Sequence, residues 1–89
     1  MTPQTRELIR ERILLFLHDA PRIGLIAETL RAGLTNSGYV LDEAHVAREL
    51  EYLRDKGLIG SRASELSAGS LRYALTSKGT EYLEAQGLV

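Results

Sequence analysis

The chain has 89 residues, 44% of them hydrophobic and 26% charged, and a formal net charge of −1 at pH 7. This composition excludes a disordered tail, and the length is that of one compact domain, which we place at residues 1–89. The sequence contains no cysteine, which excludes disulfides, thiolate metal sites and a cysteine nucleophile.

The composition also limits ligands and compartments. The two histidines, His18 and His45, have no second ligand at a metal-binding spacing, so we expect neither a metal nor a cofactor. The longest apolar run, residues 13–17, is too short for a membrane span or a signal-peptide core. We therefore expect no membrane contact and a cytoplasmic location. The near-neutral net charge does not indicate nucleic-acid binding, although it leaves open a basic face on one side.

The first predicted helix covers residues 4–19, and Pro21 forces it to end nearby. Its apolar side at helical spacing is formed by Ile9, Ile13, Phe16 and Ala20. Leu8 and Leu15 lie roughly 100–120° away around the helix, which widens the apolar surface. This surface has two interpretations: other helices wrap the first one, or Leu8 and Leu15 form a dimer interface with a second copy of the chain.

The second predicted helix covers residues 22–33. Its buried side is predicted to consist of Ile23, Ile26, Leu30 and Leu34. The link that follows, residues 35–41, is rich in turn formers and exceeds the turn of about three or four residues in a compact helix-turn-helix. A longer link can change the direction in which the third helix points.

The third predicted helix, residues 42–57, carries the clearest pattern in the chain. An apolar stripe at i, i+4 and i+7 is formed by Val46, Leu50 and Leu53. Asp42 is a good N-cap, and Leu41 before it can pack on Val46 as a hydrophobic staple. Gly57 is suited to end the helix, because glycine accepts the left-handed conformation found after a helix C-terminus.

After Gly57 the hydrophobic period changes from 3.6 to 2. Residues 58–62 are predicted as a strand, 63–70 as a polar tip and 71–75 as the return strand. Thr76 can cap a last helix over residues 77–86, in which Gly79, Tyr82 and Leu83 face inward. The fold class is therefore mainly α with a small β-hairpin, in the order helix, helix, helix, hairpin, helix. The predicted core consists of Ile9, Ile13, Phe16, Ile26, Leu30, Val46, Leu50, Leu53, Leu75 and Leu83.

The segment VARELEYLRDKGLI, followed by the hairpin and then YALTSKGTEYLE, resembles the winged-helix domains of small bacterial regulators of the ArsR and PadR type. The resemblance covers nearly the whole chain. It implies a winged helix-turn-helix fold and a homodimeric, DNA-binding transcriptional regulator, with the third helix in the major groove and the wing on the backbone. The segments SGYVLDEAHVARELEYLRDKGLI and LTSKG are also similar to small winged-helix proteins of Mu-like prophages, which implies a source and leaves the role open.

The exposed face of the third helix supplies the candidate contacts to double-stranded DNA. Opposite the apolar stripe we expect Ala44, His45, Arg48, Tyr52 and Asp55, with Glu49 and Glu51 at the margins. Arg48 is suited to pair with guanine, and His45 and Tyr52 to reach the DNA backbone. However, residues 42–57 carry five acids against two arginines and one lysine, which opposes docking on a polyanion. The same pattern is therefore also consistent with a solvated surface or one that binds a protein partner.

The predicted wing offers two further candidates, Arg62 and Arg72, on neighbouring strands. Two arginines on a β-ribbon can straddle a phosphate or enter a minor groove. They are equally consistent with the ordinary charges of an exposed strand face.

Enzymatic functions find no support in the sequence. There is no Gly-x-Ser-x-Gly elbow and no glycine-rich phosphate loop, and the acids are expected on helix exteriors in contact with solvent. We therefore expect a protein that is not an enzyme. Two hypotheses remain: a DNA-binding regulator, and a non-catalytic, phage-related interaction module whose acidic third helix binds a protein partner.

Overall fold

The computed structural model describes residues 1–63 and 70–89. The described residues form helices α1 (Pro3–Asp19), α2 (Ala27–Asn36), α3 (Glu43–Asp55) and α4 (Ser77–Ala85), and strands β1 (Leu25–Ile26), β2 (Ile59–Ala63) and β3 (Leu71–Leu75). The strands make one antiparallel sheet in the order β1-β3-β2. The predicted class, mainly α with a small hairpin, is confirmed, and β1 adds a third strand to it.

Helix α1 lies at the centre of the molecule, where it packs against α2, β3 and α4. It begins at Pro3, one residue earlier than predicted, where Thr2 Oγ1 caps it by accepting a hydrogen bond from the Thr5 amide (3.1 Å). Leu14 and Leu17 are buried together with the expected Ile9 and Ile13. The wide apolar surface is thus largely explained by the elements that surround the helix.

The predicted start of the second helix at residue 22 is wrong. Residues 21–24 form a turn in which the Gly24 amide donates to the Pro21 carbonyl (2.9 Å), and the helix begins only at Ala27. Leu25 pairs with Tyr73 of β3, so the preceding backbone is extended. As a result Ile23, predicted on the buried side of the second helix, is 43% exposed. A strand of two residues has no periodicity of its own, and its partner lies far along the chain.

Helix α3 confirms its predicted signals at both ends. The Asp42 Oδ1 atom accepts from the His45 amide at 2.7 Å, and Leu41 and Val46 both belong to the buried core. Beyond the last turn Gly57 has φ +77°, its amide donates to the Arg54 carbonyl, and the Leu58 amide donates to the Leu53 carbonyl. These two hydrogen bonds form the glycine-terminated C-terminal cap expected from the sequence.

The hairpin begins one residue later than predicted, because the Leu58 amide is still bonded to the end of α3. Its register pairs Ile59 with Leu75 and Arg62 with Arg72. Of the predicted polar tip, Ala63 is the last residue of β2, and positions 64–69 lie outside the described residues.

Helix α4 is fixed to the end of α3 by its own cap. Thr76 Oγ1 accepts from the Gly79 amide (3.1 Å), as predicted, and donates to the Gly57 carbonyl (2.6 Å). Leu83 is fully buried, and Tyr82 is half-buried. The Thr76 hydroxyl thereby links the C-terminal end of α3 to the N-terminus of α4.

The core is close to the predicted one. Its buried hydrophobic members are Ile9, Ile13, Leu14, Leu17, Leu30, Leu34, Leu41, Val46, Leu50, Leu53, Ile59 and Leu83. Phe16, Ile26 and Leu75 were predicted to be in the core but are only half-buried. Phe16 lies at the edge of the core, where its ring covers Gly33 of α2. No helix in the described ranges is long and apolar enough to cross a membrane.

Candidate nucleic-acid interface

The outer face of α3 points away from the core stripe and is open to solvent. Its exposed residues are Ala44, Ala47, Arg48, Glu51, Arg54 and Asp55, with Glu43 exposed at the start of the helix and Tyr52 at one edge. Arg48 lies near the middle of this face, as the sequence predicted. The structure thus presents one arginine at the centre of a helix face that is free of apolar side chains larger than alanine.

Glu49 is not part of that face, and the interpretation that all acids lie on helix exteriors is wrong. Its side chain is 5% exposed and faces α1. Arg10 Nε donates to Glu49 Oε1 at 2.6 Å, and Arg6 Nε lies 3.8 Å from Oε2. A buried carboxylate is expensive unless it is paired and hydrogen-bonded, and here two arginines from another helix supply both.

His45 and Tyr52 lie on the same side of α3 as Glu49, not at the centre of the outer face. His45 Nε2 is 3.4 Å from Glu49 Oε2, and the guanidinium of Arg10 stacks 3.5 Å from the centroid of the Tyr52 ring. Together with Arg6, these residues make a polar contact between α1 and α3, which we call the α1–α3 seam (Arg6, Arg10, His45, Glu49 and Tyr52). Tyr52 remains 39% exposed at the edge of the seam.

Sequence reasoning missed this seam, although two signals for it were present. Residues 45, 49 and 52 recur at i, i+4 and i+7, which makes a second stripe beside the apolar one. Arg6 and Arg10 recur at i and i+4 on the first helix, with opposite charge to Glu49. Complementary stripes on two helices indicate a contact, but periodicity alone does not reveal which helices are neighbours.

The α1–α3 seam compensates part of the negative charge of α3. Glu49 is matched by Arg6 and Arg10, so its charge no longer opposes an approaching anion at short range. Glu51 and Asp55 remain on the outer face beside Arg48 and Arg54, and Asp42 and Glu43 are exposed at the start of the helix. The exposed side chains of residues 42–57 thus carry four acids against three cations, a balance of −1 where the whole segment has −2.

The two predicted wing arginines are cross-strand partners, and both reach toward the turn before β1. Arg72 is half-buried, and its Nη1 donates to the Gly24 carbonyl at 3.1 Å. Arg62 is exposed, and its Nη2 lies at 3.5 Å from the Ile23 carbonyl, a weak hydrogen bond. Arg62 is thus the more accessible of the two, whereas Arg72 holds the short strand in place.

A groove of about 390 Å³ separates the first half of α3 from the start of β3. Glu43 and Ala47 line one wall, Leu71 lines the opposite wall, and Arg31 of α2 lies at the side. The hydrogen bond and charge of Glu28, 3.0 Å away, raise the pKa of Arg31, so this guanidinium stays charged. The groove shows that the wing begins beside the N-terminal half of the outer face.

A second depression, of about 410 Å³, lies where α1, α3 and α4 meet. Tyr52 and Tyr82 contribute aromatic walls, and Lys56 and Lys78 contribute cations. Burial raises the pKa of Tyr82, and the charge of Glu11 raises it further. This depression adjoins the α1–α3 seam at Arg10.

The proposed dimer residues differ in their surroundings. Leu8 is 50% exposed on α1, whereas Leu15 is half-buried and packs against the core. Across residues 1–63 and 70–89, no group of three or more His, Asp or Glu side chains is arranged to hold a metal ion.

No protein-family model matches this chain, and no curated protein sequence matches it significantly. Solved structures, in contrast, share its fold. A PadR-like transcription factor from Bacteroides fragilis has a TM-score of 0.79 and 21% identity, over 94% of this chain and 81% of that one. MepR from S. aureus, solved as a complex with DNA, has a TM-score of 0.77 and 20% identity, over 94% and 68% of the two chains. RosR from H. salinarum has a TM-score of 0.71 and 22% identity, over 97% and 70%. At these identities the similarity establishes the fold, which is the winged helix expected from the sequence.

Proposed function

We propose that this winged-helix protein is a DNA-binding transcriptional regulator that acts as a homodimer. In this proposal α3 enters the major groove with its outer face toward the bases, and the wing lies on the adjacent backbone. Support comes from the shared fold of regulators, one of which was solved with DNA. Fold alone does not determine function, so the proposal depends on the chemistry of the α3 surface.

The inward orientation of Glu49 is the observation that carries the proposal. Phosphate attraction supplies much of the affinity of DNA-binding proteins, so an acidic outer face would be a poor docking surface. The structure removes Glu49 from that face and pairs it with α1 arginines. Arg48 is left exposed at a position from which a long guanidinium can reach a guanine edge.

In the wing we assign the phosphate contact to Arg62, because its side chain is exposed at the end of β2. Arg72 would support the wing by holding the sheet together, since it is hydrogen-bonded to the turn that precedes β1. His45 and Tyr52 would approach the DNA backbone from the α1–α3 seam, and the exposed edge of Tyr52 would lie closest to it.

The protein-interaction module remains the second candidate function. Glu51 and Asp55 form a like-charge pair at i, i+4 on the outer face, a pattern suited to a basic partner. A phage-related source stays a prediction under either hypothesis. Titration with DNA distinguishes the two candidates.

The test is a titration of a labelled random-sequence duplex at salt concentrations from about 50 to about 200 mM. We expect the logarithm of the binding constant to fall linearly with the logarithm of salt concentration. Arg62→Ala should make the slope shallower by about 1, because one phosphate contact is lost. Arg48→Ala should weaken binding as well.

Lys78→Ala is the matched control, since it also removes one positive charge. Lys78 lies near Gly57 beyond the end of α3 and is not among the residues that line the groove beside the wing. Its loss should leave the salt slope nearly unchanged. The proposal is wrong if the wild-type protein binds no duplex at about 50 mM salt, or if Lys78→Ala weakens binding as much as Arg48→Ala.

A further inference from the structure

We infer that Glu49 is a positioning residue for α3: its contacts with α1 fix the rotation of the helix about its own axis and so set where Arg48 points. This inference rests on the proposed DNA-binding function. It assigns a role to a buried carboxylate that the DNA contacts themselves do not use. Glu49 acts through the helix that carries it, without touching DNA.

The apolar stripe of α3 cannot fix this rotation by itself. Val46, Leu50 and Leu53 are buried in the core, but burial of apolar area is non-directional and defines an angle less sharply than a hydrogen bond does. The carboxylate of Glu49 is directional. It accepts from Arg10 Nε at 2.6 Å on one oxygen, and on the other it faces Arg6 and His45.

Arg10 is itself held in place, which makes it a fixed reference for α3. Its guanidinium lies 3.5 Å from the Tyr52 ring centroid, and its side chain is only 24% exposed. Glu49 and Tyr52, three residues apart on one side of α3, thus grip the same arginine from α1. The ion pair with Glu49 and the contact with the Tyr52 ring hold the same guanidinium. Together they define the rotation of α3 about its axis more closely than either contact alone.

The size of the effect follows from helix geometry. A side chain about 5–6 Å from the helix axis moves by ~2 Å when the helix turns by ~20°. Bidentate hydrogen bonds to a base require donor–acceptor distances of about 2.7–3.2 Å, so a shift of this size breaks them. Attraction to phosphates tolerates the same shift, because it acts over about 10 Å. Loss of the Glu49 contacts should therefore reduce sequence preference more than general DNA affinity.

The simplest alternative is that Glu49 only neutralises Arg6 and Arg10. In that case Glu49→Gln would strengthen binding to every duplex by a similar factor, because one negative charge is removed. The positioning role predicts a different result, in which the ratio between preferred and scrambled duplexes falls. Glutamine keeps the shape of the side chain, so the variant should remain folded. It replaces one carboxylate oxygen, such as the one that faces Arg6 and His45, with an NH2 donor, and its remaining oxygen is an uncharged and weaker acceptor for Arg10 Nε.

The experiment first selects a preferred duplex from a randomised pool with the wild-type protein. The affinities of wild type and Glu49→Gln for that duplex and for a scrambled duplex are then compared. We expect the ratio of the two affinities to fall by about tenfold, the discrimination of one bidentate arginine contact. Glu84→Gln, which removes an exposed acid from α4, is the control for net charge and should leave the ratio unchanged.

A second measurement tests the seam in the absence of DNA. Amide hydrogen exchange over residues 46–53 should be faster in Glu49→Gln than in Glu84→Gln. Arg10→Gln should speed the same amides, and the double variant should add little to either single change.

The outcomes separate the two claims. A wild-type protein that selects no preferred duplex refutes the proposed function, and the exchange data then show whether Glu49 fixes α3 on α1. An unchanged affinity ratio in Glu49→Gln, with a wild type that discriminates, refutes the positioning role alone. Equal exchange in Glu49→Gln and Glu84→Gln also refutes it.

Discussion

At the scale of single residues, two adjacent positions of α3 have opposite exposure to solvent. Arg48 is exposed and Glu49 is buried, although both are charged and lie one position apart on α3. The difference arises because α1 covers one side of the helix and brings Arg6 and Arg10 to it. The contribution of a charge to docking thus depends on what lies across from it more than on the residue itself.

Gly79 shows the same dependence on a neighbour. A methyl group there would collide with the backbone carbonyl of Leu58 and lie 2.8 Å from Leu75 Cδ1. Backbone cannot move aside cheaply, so Gly79→Ala should destabilise the fold by about 1–3 kcal/mol. The gain in helix propensity offsets little of this loss, because Gly79 lies in the first turn of α4 and the full ~1 kcal/mol applies to a helix interior. Urea denaturation monitored by circular dichroism measures the change.

The control for that variant is Gly60→Ala. The nearest atom to an added methyl group at position 60 is Thr76 Cγ2 at 4.0 Å, which is ordinary contact. The free energy of unfolding should change by less than about 0.5 kcal/mol. If Gly79→Ala unfolds at the same urea concentration as Gly60→Ala, the close approach of α4 to residue 58 is incorrect.

At the scale of elements, the ends of a helix are decided locally and its faces are decided by its neighbours. Helix α3 begins and ends at its predicted cap and glycine, since Asp42 and Gly57 bond to groups within a few residues of themselves. Helix α2 starts five residues later than predicted, at Ala27 and not at residue 22. Its start was moved by the pairing of Leu25 with Tyr73, which no local pattern encodes.

The cap of α3 can be tested directly. Asp42→Ala removes the acceptor for the His45 amide and should reduce the free energy of unfolding by about 1 kcal/mol. Asp55→Ala is the same substitution at the other end of the helix, where a negative charge opposes the helix dipole. It should leave stability unchanged or slightly increased. Equal losses in the two variants would show that the capping bond contributes nothing.

At the scale of the whole molecule, α1 connects the proposed functions. The same helix packs in the core, grips α3 through Arg6 and Arg10, and exposes Leu8 on another side. If Leu8 forms the contact with a second copy, dimerisation and the position of α3 depend on one rigid element. Two linked copies also bind two half-sites with higher affinity than a single copy binds one.

The dimer prediction is tested by Leu8→Glu, which we expect to yield a folded monomer in analytical ultracentrifugation. A charge in an apolar interface is disfavoured, whereas on an exposed monomer surface it costs little. Val40→Glu is the control, because Val40 is 81% exposed and lies in the link before α3. A dimer that survives Leu8→Glu would place the interface elsewhere. Leu15 is unsuited to this test, since it packs against the core.

The sequence by itself determined the elements whose signals are local. Periodicity, capping residues and Gly57 were sufficient for α1, α3 and α4, because each signal and its hydrogen-bonding partner lie within about one or two turns. The hairpin followed from alternating apolar residues in two segments separated by a polar stretch. The exposed position of Arg48 followed from the same helical spacing.

Only the tertiary structure decided β1 and the orientation of Glu49. Leu25 takes its strand partner from β3, and Glu49 takes its partner Arg10 from a helix 39 positions away. Burial of a carboxylate is favourable only where such partners converge, and convergence is a property of the folded chain. The buried position of Glu49, on which the proposed DNA-binding function rests, was therefore not visible in the sequence, although the residue itself was.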